Sequence, residues 1–288
     1  MKQGSGQRTR FWKPVYLVYV FLLVWALSEI FPLFWMTYSS FKTTAEIYRD
    51  IWALPSILRL NNYYDDIAGQ VTSSIVIPVG QFLVNSSIVA FASVLGIIMV
   101  SVPAGYALSK KSRWSDILFY LFLAMIAIPS SSVLIPLYYT VKSLGLANTY
   151  LGLILPYVAF NIPFSIVLAR AFFKLFPKEL EEAARIDGLS DLGVFVRIVF
   201  PLSTVIVIVL AIVNFPNVWN ELLFAVVLVQ TNGAKTIQPG LLLFTSAYRV
   251  EWGNIFAGLV LSSLPMIIFY IIFQRYIVKA VFLGAIKG

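Results

Sequence analysis

The sequence predicts an all-α integral membrane protein with six transmembrane helices in one domain and a charged helix between the fourth and fifth spans. Of its 288 residues, 60% are hydrophobic and only 12% are charged, and the mean hydropathy is +0.87. A soluble domain is about 45–50% apolar and about 25% charged. The apolar residues are also spread along the chain, and six stretches reach the length of about 20 residues that a helix needs to cross a bilayer.

The six predicted spans differ in how clearly the sequence marks them. The last four contain uncharged apolar runs that are long enough by themselves. The first span is interrupted by Glu29 and Pro32, but it is too long for a signal-peptide core and no small-residue cleavage site follows it, so we expect it to be retained. The spans are predicted at residues 15–36, 82–108, 117–139, 150–173, 199–228 and 255–277, within one domain, 15–288, that follows a short N-terminus, 1–14.

Basic residues predict the orientation of these spans. Fifteen of the 21 Lys and Arg residues fall in the N-terminus, the second-to-third and fourth-to-fifth connections and the C-terminus, and the other connections share six. Since Lys and Arg accumulate on the cytoplasmic side of membrane proteins, we expect both termini and the charged helix in the cytoplasm. The bases flank apolar runs, so the net charge of +8 is a topology signal and does not indicate nucleic-acid binding.

Several classes of chemistry are excluded by what the sequence lacks. It has no cysteine and no histidine, which removes thiol chemistry and the commonest metal ligands and general bases. No phosphate-binding loop of the G-x-x-x-x-G-K-[ST] type is present, so the chain cannot hydrolyse ATP alone. We therefore predict a protein that is not an enzyme and that binds no cofactor and no metal. Any ATP and Mg²⁺ would belong to a partner.

The segment "KELEEAARIDGLSDLGVFVRIVFP", residues 178–201, carries five of the thirteen acidic residues of the chain. Pro177 suits a helix start, and glutamates in the first turns favour the helix dipole. Gly188 is typical of a helix end. A second short helix is expected from about Ser190 to Arg197, so the segment 178–197 is predicted to be a helix–Gly–helix at the membrane surface.

Two interpretations of this segment are open. An interfacial linker usually presents bases to anionic lipid, whereas the first half of this segment is acidic. The alternative is a short helix that inserts into a groove of a soluble cytoplasmic partner. In that case the small residues Ala183, Ala184 and Gly188 would allow close approach, and Glu182 and Arg185 would make polar contacts at the rim.

The same residues carry a resemblance to a known family. "EEAARIDG…IVFP" resembles the EAA motif of ABC-importer permeases: E-A-A, three residues, G, nine residues, I, one residue, L-P. Phe200 replaces the usual leucine. The resemblance implies the type I importer permease fold and a coupling helix that docks into a cleft of the ATP-binding subunit. The ATPase-coupling residues implied are Glu182, Ala183, Ala184, Arg185, Asp187, Gly188, Ile198 and Pro201.

The resemblance extends over most of the chain and implies partners. Residues 134–157 and 219–229 resemble the carbohydrate-uptake class of these permeases, and 274–288 resemble the tail of the maltose-type second permease subunit. Gly284, Lys287 and Gly288 match that tail, which in the family lies near the ATP-binding subunits, although residues 281–283 depart from the usual G-L-T. The implied assembly sits in the bacterial inner membrane and contains a second permease subunit in a heterodimer, two ATPase copies, an extracytoplasmic solute-binding protein and a sugar substrate. The 231–254 loop is the expected contact with the binding protein.

Polar residues inside the predicted spans also need an explanation, because charge is costly in a bilayer. Asn214, Asn217 and Glu221 recur at helical spacing, which predicts a shared face. With Trp219 and Asn220, this face either lines the translocation pathway or forms interhelical hydrogen bonds that hold the two permease chains together. An ion-coupled secondary transporter using Glu29 and Glu221 is the alternative function, but no inverted repeat supports it and the acidic helix would be unexplained.

Overall fold

The computed structural model describes residues 12–68, 78–246 and 250–285, and within these ranges every regular element is helical. Four helices are long and apolar enough to cross a membrane, and the number rises to six if each of two bent helix pairs is one span. The described elements are α1 (Trp12–Ser39), α2 (Thr44–Arg49), α3 (Asn61–Ala68), α4 (Val79–Ser109), α5 (Arg113–Ile126), α6 (Leu134–Ser143), α7 (Tyr150–Phe173), α8 (Lys178–Ile186), α9 (Asp191–Val194), α10 (Phe200–Leu202), α11 (Thr204–Trp219), α12 (Leu223–Leu228), α13 (Ile237–Ser246) and α14 (Trp252–Ala285).

Four of the predicted spans fall on single continuous helices, namely α1, α4, α7 and α14. Each contains a proline yet continues through it, because the rest of the helix is strongly apolar and satisfies its own backbone. Helix α7 begins at a side-chain cap, since the Thr149 hydroxyl accepts a hydrogen bond from the Gly152 backbone N–H at 3.1 Å.

The predicted third span is not one helix. Helix α5 ends at Ile126, and the chain resumes as a short 3₁₀ turn, Ser130–Val133, that leads into α6. The two parts are bent by 89°. Pro129 lies at the break, and a proline disfavours helical geometry in the residue before it and donates no backbone hydrogen bond.

The predicted fifth span, 199–228, is also divided. The part Asp191–Leu202 is bent by 67° from α11, and α11 itself ends at Trp219 before α12 begins. Between α9 and α10 the chain forms a π-helical turn, Phe195–Val199. The continuous helix that we expected is therefore three shorter pieces, and the number of membrane crossings stays a prediction.

Helices α4 and α7 form the centre of the molecule. Gly105 of α4 lies so close to α7 that a Cβ atom there would come within 2.4 Å of the Ala169 Cβ atom. Buried side chains of α4 and α7, such as Phe82, Ile97 and Leu153, share one core with residues of α11, α12, α13 and α14. A second cluster at the far end of α4 and α7 includes Ala184 of α8, so this core extends to the charged segment.

Candidate functional site

Helix α8 has the boundaries that its residues favour. It follows Pro177, which is extended, and Glu179 and Glu181 lie in its first turn. Gly188 adopts a left-handed conformation with φ +86°. Its backbone N–H donates to the Arg185 carbonyl, and the Leu189 N–H donates to the Ala184 carbonyl at 3.1 Å. This is the hydrogen-bonding of a glycine-terminated helix end, which glycine adopts without strain.

The two faces of α8 have different surroundings. Glu181 and Ala184 are buried against the rest of the chain, with Ala184 in the cluster that contains Val102 and Phe173. The expectation that the Ala184 side chain leaves room for a partner is therefore wrong, because it fills a space inside this chain. Glu182, Ala183 and Asp187 are exposed on the outer side.

The exposed side of α8 also carries an apolar side chain that sequence reasoning missed. Ile186 is 86% exposed, more than any other large hydrophobic residue whose side chain the structure describes. It lies four residues after Glu182 and therefore on the same face of the helix. That spacing was visible in the sequence and could have identified it.

Ion pairs hold α8 against the end of α4. The Lys110 ammonium donates to the Glu181 carboxylate and lies 4.2 Å from the centre of the Tyr106 ring. Arg185 donates from its Nη2 atom to Asp191 at 2.9 Å, which joins α8 to α9. Sequence reasoning missed Lys110 and Glu181, because 71 residues separate them.

The connection from α8 to α11 contains the rest of the predicted motif. The Ser190 hydroxyl accepts from the Gly193 N–H at 3.2 Å and so caps α9. Ile198 is half-buried and packs on the second cluster, whereas Pro201 is exposed. The spacing of the motif thus places Ile198 against the core and Pro201 on the surface.

A buried arginine braces the same end of the molecule. Arg170 of α7 donates from Nε to the Leu108 carbonyl at 2.8 Å and from Nη2 to Asp116 at 2.5 Å. Its guanidinium carbon lies 3.8 Å from the centre of the Phe119 ring. Arg170 therefore joins the ends of α4, α5 and α7.

The polar residues predicted to share one face of the fifth span do not do so. Helix α11 ends at Trp219, with Asn220 as its C-cap, so Glu221 lies beyond it. Asn214 is buried and donates to the Ser165 hydroxyl at 3.0 Å, and the Trp219 indole donates to the Ser262 carbonyl. These two residues hold helices of this chain together.

Glu221 makes hydrogen bonds within this chain, and its place in the translocation pathway stays a prediction. One carboxylate oxygen accepts from the Tyr157 hydroxyl at 2.7 Å and from the Ala225 N–H, and the other accepts from the Phe224 N–H at 2.8 Å. Glu221 therefore caps α12 and ties it to α7. Asn217 and Asn220 are exposed, and they stay predicted pathway residues. Glu29 is exposed on α1.

Part of the predicted outer loop is fixed to α4. The Asn85 amide donates to the carbonyls of Gly233 and Lys235, and the Tyr150 hydroxyl donates to its amide oxygen at 2.7 Å. Helix α13 occupies much of the rest of the loop. In the predicted tail, Gly284 lies on α14, and Lys287 and Gly288 lie outside the described residues.

The sequence profile of the family described as "Binding-protein-dependent transport system inner membrane component" matches residues 92–283, well over half of the chain. The chain belongs to this family. It is 36% identical over 272 residues to the "Probable ABC transporter permease protein YurM" of Bacillus subtilis (strain 168), with 94% of this chain and 88% of that protein covered. It is 32% identical over 281 residues to the "Trehalose/maltose transport system permease protein MalG" of Thermococcus litoralis, with 94% and 96% covered.

A solved structure shows that the fold is shared as well. A chain of the "Crystal structure of a bacterial ABC transporter involved in the import of the acidic polysaccharide alginate" superposes with a TM-score of 0.78 at 21% identity, over 93% of this chain and 98% of that chain. The predicted resemblance to importer permeases is confirmed. The chain is thus a multi-pass inner membrane transport component, and the ion-coupled alternative finds no support.

Proposed function

We propose that this chain is a permease subunit of an ATP-driven sugar importer and forms half of its translocation pathway. Relatives named for transport of sugars support the substrate class: one is the "Diacetylchitobiose uptake system permease protein NgcG" of Streptomyces coelicolor, 30% identical over 269 residues. The partners would be a second permease subunit, two ATPase subunits that bind ATP and Mg²⁺, and an extracytoplasmic solute-binding protein.

The observation that carries this proposal is that α8 is exposed on one side and buried against the core on the other. Glu182, Ala183 and Ile186 are exposed on one side, while Glu181 and Ala184 fix the other side to the core. A short helix with an exposed apolar residue between charges suits a groove on a soluble partner. Such a helix can pass a movement of the partner on to the membrane helices only if its other side is packed against them. Glu181 and Ala184 provide this packing.

The proposed cycle is alternating access driven from the cytoplasm. ATP closes the ATPase pair and displaces α8, which moves with the ends of α4 and α7 because Lys110, Ala184 and Arg170 connect them. The spans then turn, and the pathway opens to the outside, where the binding protein delivers its sugar. Both termini face the cytoplasm in this orientation.

The docking surface is tested in the fully assembled importer in proteoliposomes. Ile186→Asp or Glu182→Ala should reduce ATP-driven sugar uptake by about tenfold or more, because an interface centre tolerates the loss of an anchor poorly. Glu29→Gln removes a carboxylate at an exposed position of α1 and should leave uptake intact, whereas the ion-coupled alternative requires a loss. Normal uptake in both α8 variants, or sugar transport by this chain without an ATPase, would refute the proposal.

A further inference from the structure

An open cavity of about 330 Å³ lies where the end of α4, the end of α7 and the start of α8 meet. Its charged lining is unbalanced. Both of its carboxylates, Glu181 and Glu182, come from α8. Its five cations are Lys110, Lys111, Lys174, Lys178 and Arg185.

Within the described residues, ion pairs engage two of these cations. Lys110 pairs with Glu181, and Arg185 pairs with Asp191. Lys111, Lys174 and Lys178 form no ion pair with any carboxylate in the part of the chain whose side chains the structure describes. Three ammonium groups that share one cavity repel each other, and an anion between them would relieve that repulsion.

The position of the cavity indicates what kind of anion reaches it. Lys111 lies two residues beyond the end of α4, and Lys174 directly follows α7. Both of those helices are candidate membrane spans, so the residues that follow them lie at the level of the lipid headgroups.

Apolar side chains accompany the lysines. Phe173 and Phe176 line the cavity, and Leu175, between Lys174 and Phe176, is 72% exposed. Ammonium groups beside the exposed Leu175 side chain match the two parts of a phospholipid, a phosphate and an acyl chain. We propose that this cavity binds the phosphate of an anionic phospholipid headgroup and thereby anchors α8 at the membrane surface.

The acidic sequence of α8 argued against a contact with anionic lipid. The structure reverses that charge at the start of the helix, because Lys110 and Lys111 follow α4 and Lys174 follows α7. The inference needs only that α4 and α7 end at the membrane surface, so it stands independently of the transported substrate.

Native mass spectrometry of the assembled transporter tests this site. The detergent-purified complex is titrated with dioleoylphosphatidylglycerol or dioleoylphosphatidylcholine, and lipid retained on this chain is measured. Wild type should retain phosphatidylglycerol in preference to phosphatidylcholine. The triple variant Lys111→Gln, Lys174→Gln, Lys178→Gln should weaken its retention about tenfold or more, since each base near an anionic headgroup contributes to binding.

Two further variants keep the test independent of misfolding. The corresponding triple Lys→Arg variant preserves the charges and should retain the lipid. Arg197→Gln removes one exposed base outside the cavity and should also retain it.

Three results would overturn the proposal. Unchanged retention of phosphatidylglycerol by the Gln variant would show that the lysines do not bind it. Displacement of the lipid by millimolar inorganic phosphate would identify a site for the free anion. Loss of the ATPase subunits without loss of lipid would assign the lysines to a protein contact.

Discussion

At the scale of single residues, two adjacent carboxylates show how helix geometry divides roles. Successive residues of an α-helix point about 100° apart. Glu181 therefore faces Lys110 and is 6% exposed, while Glu182 faces outward. The motif predicted a role for Glu182 from spacing alone. It could not predict the role of Glu181, because that depends on a contact with a distant part of the chain.

Arg170 should be among the residues whose loss most reduces stability. It is 4% exposed, and its hydrogen bond to the Leu108 carbonyl is buried. Arg170→Met keeps much of the side-chain volume but removes both donors, and we expect a loss of about 2 kcal/mol in the free energy of unfolding. The Asp116 partner is 63% exposed, so the ion pair itself contributes little.

Thermal denaturation of the purified protein measures this effect. Arg197→Met changes an exposed arginine near the same end of the molecule and should alter stability by no more than about 0.5 kcal/mol. Equal melting temperatures for the two variants would contradict the bracing role of Arg170.

Asp66 should make stability depend on pH. It is fully buried on α3, and the Asn254 amide donates to one of its oxygens at 3.0 Å. Burial raises the pKa of Asp66 to about 7, opposed by this hydrogen bond, and the neighbouring charge of Asp65 adds to the rise. The folded protein therefore keeps the proton up to about pH 7, whereas an unfolded chain releases it above about pH 4.

The sign of the effect follows from this difference. Between about pH 4 and 7 the folded state binds more protons than the unfolded state, so the contribution of Asp66 to stability falls as the pH rises. The slope is at most about 1.4 kcal/mol per pH unit. Asp66→Asn should remove this part of the dependence in melting curves recorded from pH 5 to 8, and Glu179→Gln, at an exposed position, should not. An unchanged slope in Asp66→Asn would disprove the assignment.

At the scale of elements, the sequence predicted the long helices and failed at their breaks. Uniformly apolar runs determine α4, α7 and α14, because any long apolar helix satisfies its own backbone in a membrane. The sequence stays equally apolar through Pro129 and through the end of α11. Hydropathy therefore cannot distinguish one continuous helix from two shorter ones at these places. Helices α4, α7 and α14 each contain proline and stay continuous. The presence of a proline therefore does not predict where a helix breaks either.

The short helix α12 should depend on the Glu221 cap. Its carboxylate accepts hydrogen bonds from two backbone N–H groups and from the Tyr157 hydroxyl. Glu221→Ala leaves all three donors without this acceptor and should cost about 1–2 kcal/mol of stability. Tyr157→Phe should cost less, because the two backbone donors keep their partner.

The control for this prediction comes from the same segment. Asn217 is exposed, so Asn217→Ala should change the melting temperature little. A melting temperature for Glu221→Ala that matches that of Asn217→Ala would show that the cap contributes nothing.

At the scale of the whole molecule, the arrangement joins a surface helix to the central helix pair. Ala184 lies in the core cluster that contains Val102 of α4 and Phe173 of α7. A displacement of α8 must therefore move the ends of α4 and α7, because packed cores deform little. The sequence predicted the fold and the exposed motif residues, but this connection arises from contacts between distant segments that no local pattern records.

The ion pair between Lys110 and Glu181 allows a test of this connection that leaves the exposed face of α8 untouched. Lys110→Glu and Glu181→Lys each place like charges together at the start of the helix, where Glu181 is buried, and repulsion should separate α8 from α4. In the assembled importer each single variant should continue to hydrolyse ATP while uptake per ATP falls several-fold.

The double variant Lys110→Glu, Glu181→Lys restores opposite charges and should recover part of the lost uptake, although it removes the contact of the Lys110 ammonium with Tyr106. Recovery in the double variant can be explained only by the interaction between the two positions, because each substitution alone is harmful. If both single variants transport as well as wild type, the ion pair does not couple the movement of α8 to α4. The packing of Ala184 against the core would then have to carry the movement of α8 by itself.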